Sequence, residues 1–353
     1  MLLFRRAPRR RSSPFTNERS PAVAIWLLVI AALVFAMILI GGATRVTGSG
    51  LSITEWKLVH GVLPPLNLEQ WQAEFANYRQ IPQYRVINPD MTLGAFKAIY
   101  WWEWVHRLLG RLIGLAFLIP FLVFLRLRKI PRRLVVPCLI LFGLGALQGL
   151  IGWWMVASGL VDRVSVAPER LTVHLGLALV IFVLAIWTGL EAWFGQGRPS
   201  NLRGWTNAAN ALLAGVFLQI LLGGLVAGAH AGLVFNDWPL MNGRFLPAEY
   251  GEGHGLMALL HSQAAVQFNH RIGAYLLFAA VWAAALLTLR SRVLGAEARL
   301  LAVVLALAVT AQAALGVITL MMITPLGLAI AHQALAAVVL AAAVVFAWRV
   351  RRA

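Results

Sequence analysis

Eight apolar runs alternate with polar or charged segments along the chain. Crossing about 30 Å of hydrocarbon takes about 20 consecutive apolar residues in a helix. Suitable runs occupy residues 22–41, 106–125, 134–156, 172–194, 208–228, 268–289, 299–322 and 328–348. The pattern predicts an all-α polytopic membrane protein with eight transmembrane helices, of which the second, fourth, sixth and eighth begin near a histidine.

The composition agrees with this pattern. Of the 353 residues, 60% are apolar and 12% are charged, against about 45–50% and about 25% in soluble domains. A net charge of +17 would suggest nucleic-acid binding in a soluble chain, but in a membrane protein it is interpreted through the positive-inside rule, so nucleic acid is not implied. The single cysteine, Cys138, excludes an intrachain disulfide and a metal site built from cysteine alone.

Basic residues mark one side of the predicted protein. They concentrate in five segments: 5–19, 126–133, 198–203, 290–292 and 349–352. Because Lys and Arg are enriched in cytoplasmic segments, both chain ends are predicted on the cytoplasmic side, or on the matrix side of an organelle. The segments 42–105 and 229–267 then lie outside. The Arg-rich, acid-poor leader leaves an organelle transit sequence as an alternative.

The chain aligns with itself. EWVHRLL at 103–109 falls on QFNHRIG at 267–273 with an offset of 164, and the same offset places Gln148 on Gln312. Repeats of this kind are typical of membrane transporters and cofactor bundles. The predicted organisation is a basic segment, a first four-helix half, a linker and a second four-helix half in the same orientation, at 1–21, 22–194, 195–207 and 208–353.

Four of the eight histidines recur at matched places in the two halves. They are His106, His174, His270 and His332. An ionisable residue inside a membrane is costly and points to function. Imidazole binds zinc, copper and iron, but the sequence near the second pair has no cysteine or carboxylate to complete a zinc site. Two histidines on facing helices suit the axial positions of haem iron, which predicts one bis-histidine haem in each half. Structural histidines or a proton path are the alternatives.

One face of the second predicted helix carries more than its histidine. At about 100° per residue, the residues that share this face are Glu103, His106, Arg107, Gly110 and Gly114. The second half has Gln267 in place of the carboxylate. Glu103 is therefore the candidate catalytic acid or base, with a salt bridge to Arg107 as its structural alternative. The first haem site is predicted to be catalytic and the second to transfer electrons.

Three arginines are candidate haem-binding residues. Arg107 and Arg271 each follow a predicted iron ligand, and a guanidinium there can hold a porphyrin propionate through paired hydrogen bonds. Snorkelling to the interface is the alternative. Arg45 is a weaker candidate of the same kind. Gln148 and Gln312 are interpreted as partners in hydrogen bonds between helices.

Long, irregular strings in the chain resemble one family. GGATRVTGSGLSITEWKLVHGVLPP at 41–65, MTLGAFKAIYWWEWVHRLLGRLIG at 91–114, FNDWPLMNGRFLP at 235–247 and FNHRIGAY at 268–275 are similar to the haem A synthase family, in the branch shared by alphaproteobacteria and mitochondria. The likeness covers nearly all of the chain beyond the leader. Some bacterial relatives carry a cysteine pair in the first outer loop. This chain has none, so an electron route through such a disulfide is absent.

The resemblance implies an oxidoreductase that oxidises a methyl group of haem O to a formyl group, giving haem A for cytochrome oxidase assembly. Glu103 and His106 match the family's Glu-x-x-His element, whose glutamate is needed for activity, and His174 matches the opposite ligand of the substrate haem. Haem b would lie between His270 and His332. Besides haem O and the lipid bilayer, the implied partners are haem O synthase, oxidase assembly factors and an unidentified electron donor or acceptor.

Three other functions compete with this interpretation. A two-haem b-type membrane electron carrier would need the same four histidines but not Glu103. A transporter is favoured by the repeat alone and would purify without colour. A prenyltransferase that makes haem O is disfavoured because its magnesium-pyrophosphate chemistry needs clustered aspartates, whereas Asp90, Asp162 and Asp237 are far apart in the sequence.

The first outer segment also contains an amphipathic pattern. Leu68, Trp71, Phe75 and Tyr78 recur at helical spacing, which predicts a helix over the mouth of the bundle. Such a helix could cover a haem edge or rest on lipid. The remaining histidines receive no role: His60, His230, His254 and His261.

Overall fold

A computed structural model describes residues 19–56, 60–197, 200–250 and 258–352. Within these ranges the chain is almost entirely helical, and eight helices are long and apolar enough to cross a membrane. The fold class and the predicted number of spans are confirmed. The helices are α1 (Pro21–Val46), α2 (Leu68–Tyr78), α3 (Pro82–Ile87), α4 (Leu93–Arg126), α5 (Arg132–Ala157), α6 (Pro168–Phe194), α7 (Arg203–Gly228), α8 (Ala258–His261), α9 (Gln263–Arg290), α10 (Ala296–Met321) and α11 (Leu326–Val350).

Some of the predicted features fall outside the described residues. Most of the basic amino-terminal segment lies there, as do Arg198 of the linker and His254. The eight spanning helices are α1, α4, α5, α6, α7, α9, α10 and α11.

Helix α4 begins much earlier than its hydropathy indicated. The expectation that it starts near His106 is wrong, because the helix begins at Leu93. Thr92 caps its first turn, where the threonine hydroxyl accepts a hydrogen bond of 3.2 Å from the backbone N–H of Ala95. A hydroxyl at this position satisfies a donor that the first turn leaves free. His106 therefore lies well inside a continuous helix, which fixes the direction of its side chain.

Helix α9 is extended at the same end. It begins at Gln263, and the Ser262 hydroxyl accepts a hydrogen bond of 3.4 Å from the backbone N–H of Ala265. His270 consequently lies in the second turn of a helix, whereas the sequence indicated a start at 268. In both helices the polar residues before the histidine lowered the hydropathy without ending the helix.

The spanning helices pack in two closed groups of four. In the first group α1 and α5 each contact both α4 and α6, and in the second group α7 and α10 each contact both α9 and α11. Contacts of α6 with α7 and α11, and of α1 with α11, join the groups. The division of the chain into two domains at the predicted boundaries, and its origin as a sequence repeat, stay predictions.

The apolar side chains divide between the interior and the outer surface. Trp26 of α1 packs on Phe117 of α4 with ring centroids 4.9 Å apart, and its indole N–H donates to the Ala116 carbonyl over 3.0 Å. Large apolar residues such as Ile119 and Leu150 are more than half exposed. This distribution suits helices that face lipid, because a bilayer core accepts apolar side chains.

The predicted amphipathic helix in the first outer segment is present as α2. Its Trp71 and Tyr78 are buried, whereas Leu68 is exposed. Trp71 packs on Tyr100 with centroids 4.9 Å apart, and Tyr78 packs on Phe96 at 5.3 Å. Both partners belong to α4, so α2 covers the outer turns of the helix that carries His106.

Two side chains, one from each half, form hydrogen bonds across the interface between the two four-helix groups, here called the joint. Gln333 of α11 donates its amide N–H to the Ile38 carbonyl of α1 over 2.8 Å. The same amide packs on Gly42, where an added β-carbon would overlap its side-chain oxygen. Arg45 donates to the Ala227 carbonyl at the end of α7. These contacts hold the two four-helix groups in one register.

Candidate functional site

Each of the four predicted haem ligands has its imidazole ring against a glycine of a neighbouring helix. A β-carbon added at these glycines would lie 2.8–3.1 Å from the ring atom Cε1, closer than ordinary van der Waals contact. The pairs are Gly41 with His106, Gly152 with His174, Gly223 with His270 and Gly316 with His332. Small residues allow this kind of approach between membrane helices, and the same contact occurs in both halves.

A glutamine holds three of these four histidines. It lies four residues before the glycine and donates its amide N–H to the backbone carbonyl of the histidine, with its nitrogen also 2.9–3.3 Å from the ring atom Nδ1. The pairs are Gln148 with His174 at 3.0 Å, Gln219 with His270 at 2.8 Å and Gln312 with His332 at 3.0 Å from the carbonyl. The predicted interhelical roles of Gln148 and Gln312 are confirmed.

The fourth histidine lacks this partner. Met37 lies four residues before Gly41, in the place that glutamine occupies on the other three helices. Within the described part of the chain, the buried Nδ1 atom of His106 has no hydrogen-bond partner. A β-carbon on Gly110, one turn after His106, would lie 3.6 Å from the Met37 methyl group. The contact beside His106 is therefore apolar where the others are polar.

The histidines lie in two pairs. His106 of α4 is within electrostatic range of His174 of α6, and His270 of α9 is within the same range of His332 of α11. The partners come from different helices of the same four-helix group. Among the described residues there is no group of three or more His, Cys, Asp or Glu side chains suited to a metal ion, so each candidate site described here offers two imidazoles.

Glu103 is buried one turn before His106, with 3% of its surface exposed. Its Oε2 accepts hydrogen bonds of 2.8 Å from the Ser52 hydroxyl and from the Ile53 backbone N–H. Its Oε1 accepts from Arg107, 2.6 Å from Nη2 and 3.0 Å from Nε. The salt bridge considered as the structural alternative for Glu103 is thus present. Because the pair is buried, removing one partner would destabilise the fold more than at a solvent-exposed pair.

Arg107 also fastens the first outer loop to α4. Its Nη2 donates to the Ile53 carbonyl over 2.7 Å and its Nη1 donates to the Glu55 carbonyl over 2.9 Å. The guanidinium lies 5.3 Å from the centroid of the Trp56 ring. The loop and the carboxylate therefore share one arginine.

Arg271 plays the corresponding part in the second half. Its Nη1 donates to the carbonyls of Asp237 and Leu240 over 3.0 and 2.9 Å, and its Nη2 donates to the Phe235 carbonyl over 3.0 Å. Gln267 donates to the Phe235 carbonyl over 2.9 Å. The residues that precede and follow each proposed ligand thus anchor the outer segment of their own half, and an interaction of Arg107 or Arg271 with a propionate stays a prediction.

Arg45 lies at the outer end of the joint between the halves. Besides its bond to Ala227, its Nη2 is 3.4 Å from the Gly228 carbonyl, so it caps the end of α7. Burial lowers the pKa of His230 in the following loop, and the Arg45 guanidinium lowers it further. The described contacts of Arg45 connect the two halves, and its predicted contact with a haem remains untested.

Of the remaining histidines, the structure describes the side chains of His230 and His261. His261 at the end of α8 lies 3.6 Å from Glu169 of α6, measured from Nε2 to Oε2, which is an ion pair when the imidazole is protonated. The side chain of His60 and the whole of His254 lie outside the described residues.

A cavity of about 350 Å³ opens beside the ion pair of the first half. Its wall includes Arg107, Arg111 and Tyr100 of α4, together with Gln70 of α2 and the loop at 61–66. Glu55 and Glu74 line the same cavity, so two guanidinium groups and two carboxylates share its wall. An anionic group of a ligand would be favoured beside the guanidinium groups.

Sequence reasoning missed two residues beside the histidines. Gln219 and Met37 received no role, although Gln-x-x-x-Gly recurs at 148–152, 219–223 and 312–316 and becomes Met-x-x-x-Gly at 37–41. The signal was present in the sequence. The offset of 164 does not bring it out, because the segments at 37–41 and 219–223 are 182 residues apart.

Comparison with known proteins shows extensive similarity. A family model described as cytochrome oxidase assembly protein matches residues 24–344. A protein of Caulobacter sp. (strain K31) is 58% identical over 337 residues, which are 95% of this chain and 98% of that protein. A protein of Rhodopseudomonas palustris (strain BisA53) is 51% identical over 90% of this chain and 88% of its own. One of Parvibaculum lavamentivorans is 48% identical over 98% of both. All three relatives carry the name heme A synthase.

Proposed function

The chain belongs to the cytochrome oxidase assembly protein family, and on this premise we propose that it converts haem O to haem A. The observation that carries the proposal is 58% identity, over 95% of the chain, to a protein named heme A synthase. Converting a methyl group to a formyl group is an oxidation, so the enzyme is an oxidoreductase. Its eight apolar helices and its bacterial relatives support an integral protein of the bacterial inner membrane. The distribution of basic residues supports an orientation with both chain ends on the cytoplasmic side and the histidine pairs towards the outer side.

The two histidine pairs are the proposed haem sites. His106 and His174 hold the substrate haem O and then the product haem A, while His270 and His332 hold a resident haem b. The donor chemistry fits: two imidazoles from facing helices are a recognised axial pair for haem iron, and each ring is positioned by the bare backbone of a glycine. When bound, haem b supplies one-electron redox chemistry. The protein's part is to orient the imidazoles through Gly223, Gly316 and their glutamines.

Glu103 is the proposed proton-handling group of the first site. It lies one turn from His106, and the corresponding residue of the second half is the amide Gln267, which cannot exchange a proton at neutral pH. The hydrogen bonds from Ser52, Ile53 and Arg107 fix both carboxylate oxygens. Each oxygen accepts two hydrogen bonds, so protonation at Oε2 requires the Ser52 hydroxyl to turn from donating to accepting. A hydroxyl can make that rotation, which lets Glu103 take part in acid–base catalysis.

The basic residues of the outer side are proposed to bind haem propionates. Arg107 and Arg111 line the same cavity, so a propionate there would meet two guanidinium groups. Arg271 is the counterpart in the second half, and Arg45 is a further candidate at the joint. The isoprenoid tail of haem O is apolar, and lipid or the exposed faces of α4 and α5 would shield it from water.

Haem analysis tests this function directly. Cells that express the chain together with a supply of haem O should contain haem A, detected by chromatography of the extracted haems. The purified protein should also contain haem b, which His270→Ala should remove. A two-haem electron carrier would give coloured protein without haem A, and a transporter would give colourless protein. Hand-over of haem O from its synthase, or of haem A to oxidase assembly factors, is a further expectation that co-purification would test.

A further inference from the structure

The four proposed ligands differ in one respect. Three of them, His174, His270 and His332, are each held by a glutamine on a neighbouring helix, and His106 is not. Both ligands of the second pair are held, whereas the first pair has one held and one unheld imidazole. The two candidate sites therefore differ in how many of their histidines bind a glutamine, although every histidine has the same contact with a glycine.

We propose that Met37 makes His106 the exchangeable ligand, so that the substrate site releases its haem from the α4 side while the second site retains its own. This inference rests on the proposed function, because it assigns the first site to substrate and product. An enzyme site must let its product leave, whereas a resident cofactor must stay. His106, which has Met37 in the place of a glutamine, lies in the proposed substrate site, and that site must release its product in each catalytic cycle.

The glutamine contact restrains a histidine in two ways. Its amide N–H binds the carbonyl of the histidine backbone, which fixes one helix against the next, and its nitrogen lies beside the imidazole, which limits rotation of the ring. Groups that hold the free side of a ligating histidine typically change metal affinity about 10–100-fold when they are removed. Loss of the glutamine should therefore increase the rate at which the haem dissociates.

Met37 provides neither restraint. A thioether has no donor, and the buried Nδ1 atom of His106 has no hydrogen-bond partner among the residues that the structure describes. The side chain of methionine is flexible, and its methyl group lies beside Gly110 one turn beyond His106. The α1–α4 contact at this level is therefore apolar and adaptable. Met37 acts through His106 and is a positioning residue.

Exchange of the two residue types tests the proposal in the intact, haem-loaded protein. Glutamine and methionine have similar lengths, so Met37→Gln places an amide in the register that Gln148 uses towards His174. Gln219→Met makes the reverse change in the second site. Met37→Leu keeps an apolar side chain without a donor and is the matched control. Apomyoglobin captures the released haem, and the different absorbance bands of haem A and haem b report the two sites separately.

The wild-type protein should lose haem A at least about 10-fold faster than haem b. Met37→Gln should slow the release of haem A by about 10-fold and leave haem b unchanged, whereas Gln219→Met should speed the release of haem b by about 10–100-fold. Met37→Leu should match the wild type. Carbon monoxide binding to the reduced first-site haem, which needs a displaced ligand, should slow in Met37→Gln alone.

Two results would overturn the inference: equal release of the two haems from the wild type, or a rate of haem A release that Met37→Gln leaves unchanged. Failure of the proposed function would look different, because no haem A would form at all. In that case the same release measurement on haem O bound in the first site still decides the role of Met37. If Met37→Gln does not fold, Gln219→Met still tests the inference, because an unchanged rate of haem b release in that variant would contradict it.

Discussion

Glu103 and Arg107 form a buried ion pair on successive turns of α4, with Oε1 and Nη2 2.6 Å apart. His106 lies between them in the sequence, and the Ser52–Glu55 stretch of the first outer loop binds to both. The pair therefore connects the proposed iron ligand to the loop that covers it. In the second half, Gln267 and Arg271 hold the Phe235 carbonyl in the same relation to His270. The two halves thus anchor their outer segments in the same way, with a carboxylate in the first half and an amide in the second.

Glu103→Gln should abolish conversion but retain haem. The amide keeps the size of the side chain and an oxygen that can accept from Ser52 or Ile53, but it cannot exchange a proton. Acid–base groups contribute about 10²–10⁴-fold to rates, so the yield of haem A should fall at least about 100-fold. Extracted haems would be measured by chromatography and total haem by the visible spectrum.

Glu69→Gln provides the matched control for this change. It makes the same substitution at an exposed position of α2 and should leave haem A production unaffected. Normal conversion by Glu103→Gln would show that the glutamate serves only as an anchor for the loop. A loss of haem together with conversion would point to the same conclusion.

Arg271→Ala should release the second outer segment. Arg271 is 9% exposed and donates to three backbone carbonyls. Hydrogen bonds to charged groups contribute about 1.5–3 kcal/mol, and the carbonyls left buried cost more. We expect a lower Tm and faster proteolysis between residues 235 and 247. Arg292→Ala, at an exposed position in the turn after α9, should change neither, and equal behaviour of the two variants would contradict the anchoring role.

The sequence predicted the spans because their composition follows from the thickness of the bilayer. It failed at the start of α4, where Glu103 and Lys97 interrupt the apolar pattern although Thr92 has already begun the helix. Hydropathy detects the part of a helix that lies in lipid. It does not detect the part that continues beyond the membrane and carries the outer residues.

The histidines of the candidate site were predictable because they recur at matched positions. Their supports were not, since a contact such as Gly316 with His332 joins two helices and depends on how those helices pack. Gly110 and Gly114 were the glycines that the sequence placed on the same helix face as His106. Among the described residues, a β-carbon on Gly114 would meet nothing within 4 Å, and one on Gly110 would meet the Met37 methyl group at 3.6 Å. The close glycines belong instead to the opposing helices.

Gly316→Ala should weaken haem b binding. The added β-carbon would lie 2.8 Å from Cε1 of His332, so the ring or α10 must move, and overpacked sites typically cost about 1–3 kcal/mol. Haem b per protein should fall, as measured by the pyridine haemochrome spectrum. An added β-carbon at Gly114 has nothing within 4 Å among the described residues, so Gly114→Ala should bind haem b like the wild type. Full haem b content in Gly316→Ala would refute a positioning role for this glycine.

Gly42→Ala should separate the two halves without touching either histidine pair. The new β-carbon would overlap the side-chain oxygen of Gln333, and moving that amide breaks its 2.8 Å hydrogen bond to the Ile38 carbonyl. Because this bond and the Arg45 contact with Ala227 both cross the joint, the change should lower Tm and slow any electron transfer between the sites. Haem content should stay close to normal, since neither Gly41 nor Gly223 is altered. Gly143→Ala, where an added β-carbon has nothing within 4 Å among the described residues, is the control in another spanning helix. An unchanged Tm in Gly42→Ala would mean that the joint tolerates displacement and that coupling between the halves does not depend on this contact.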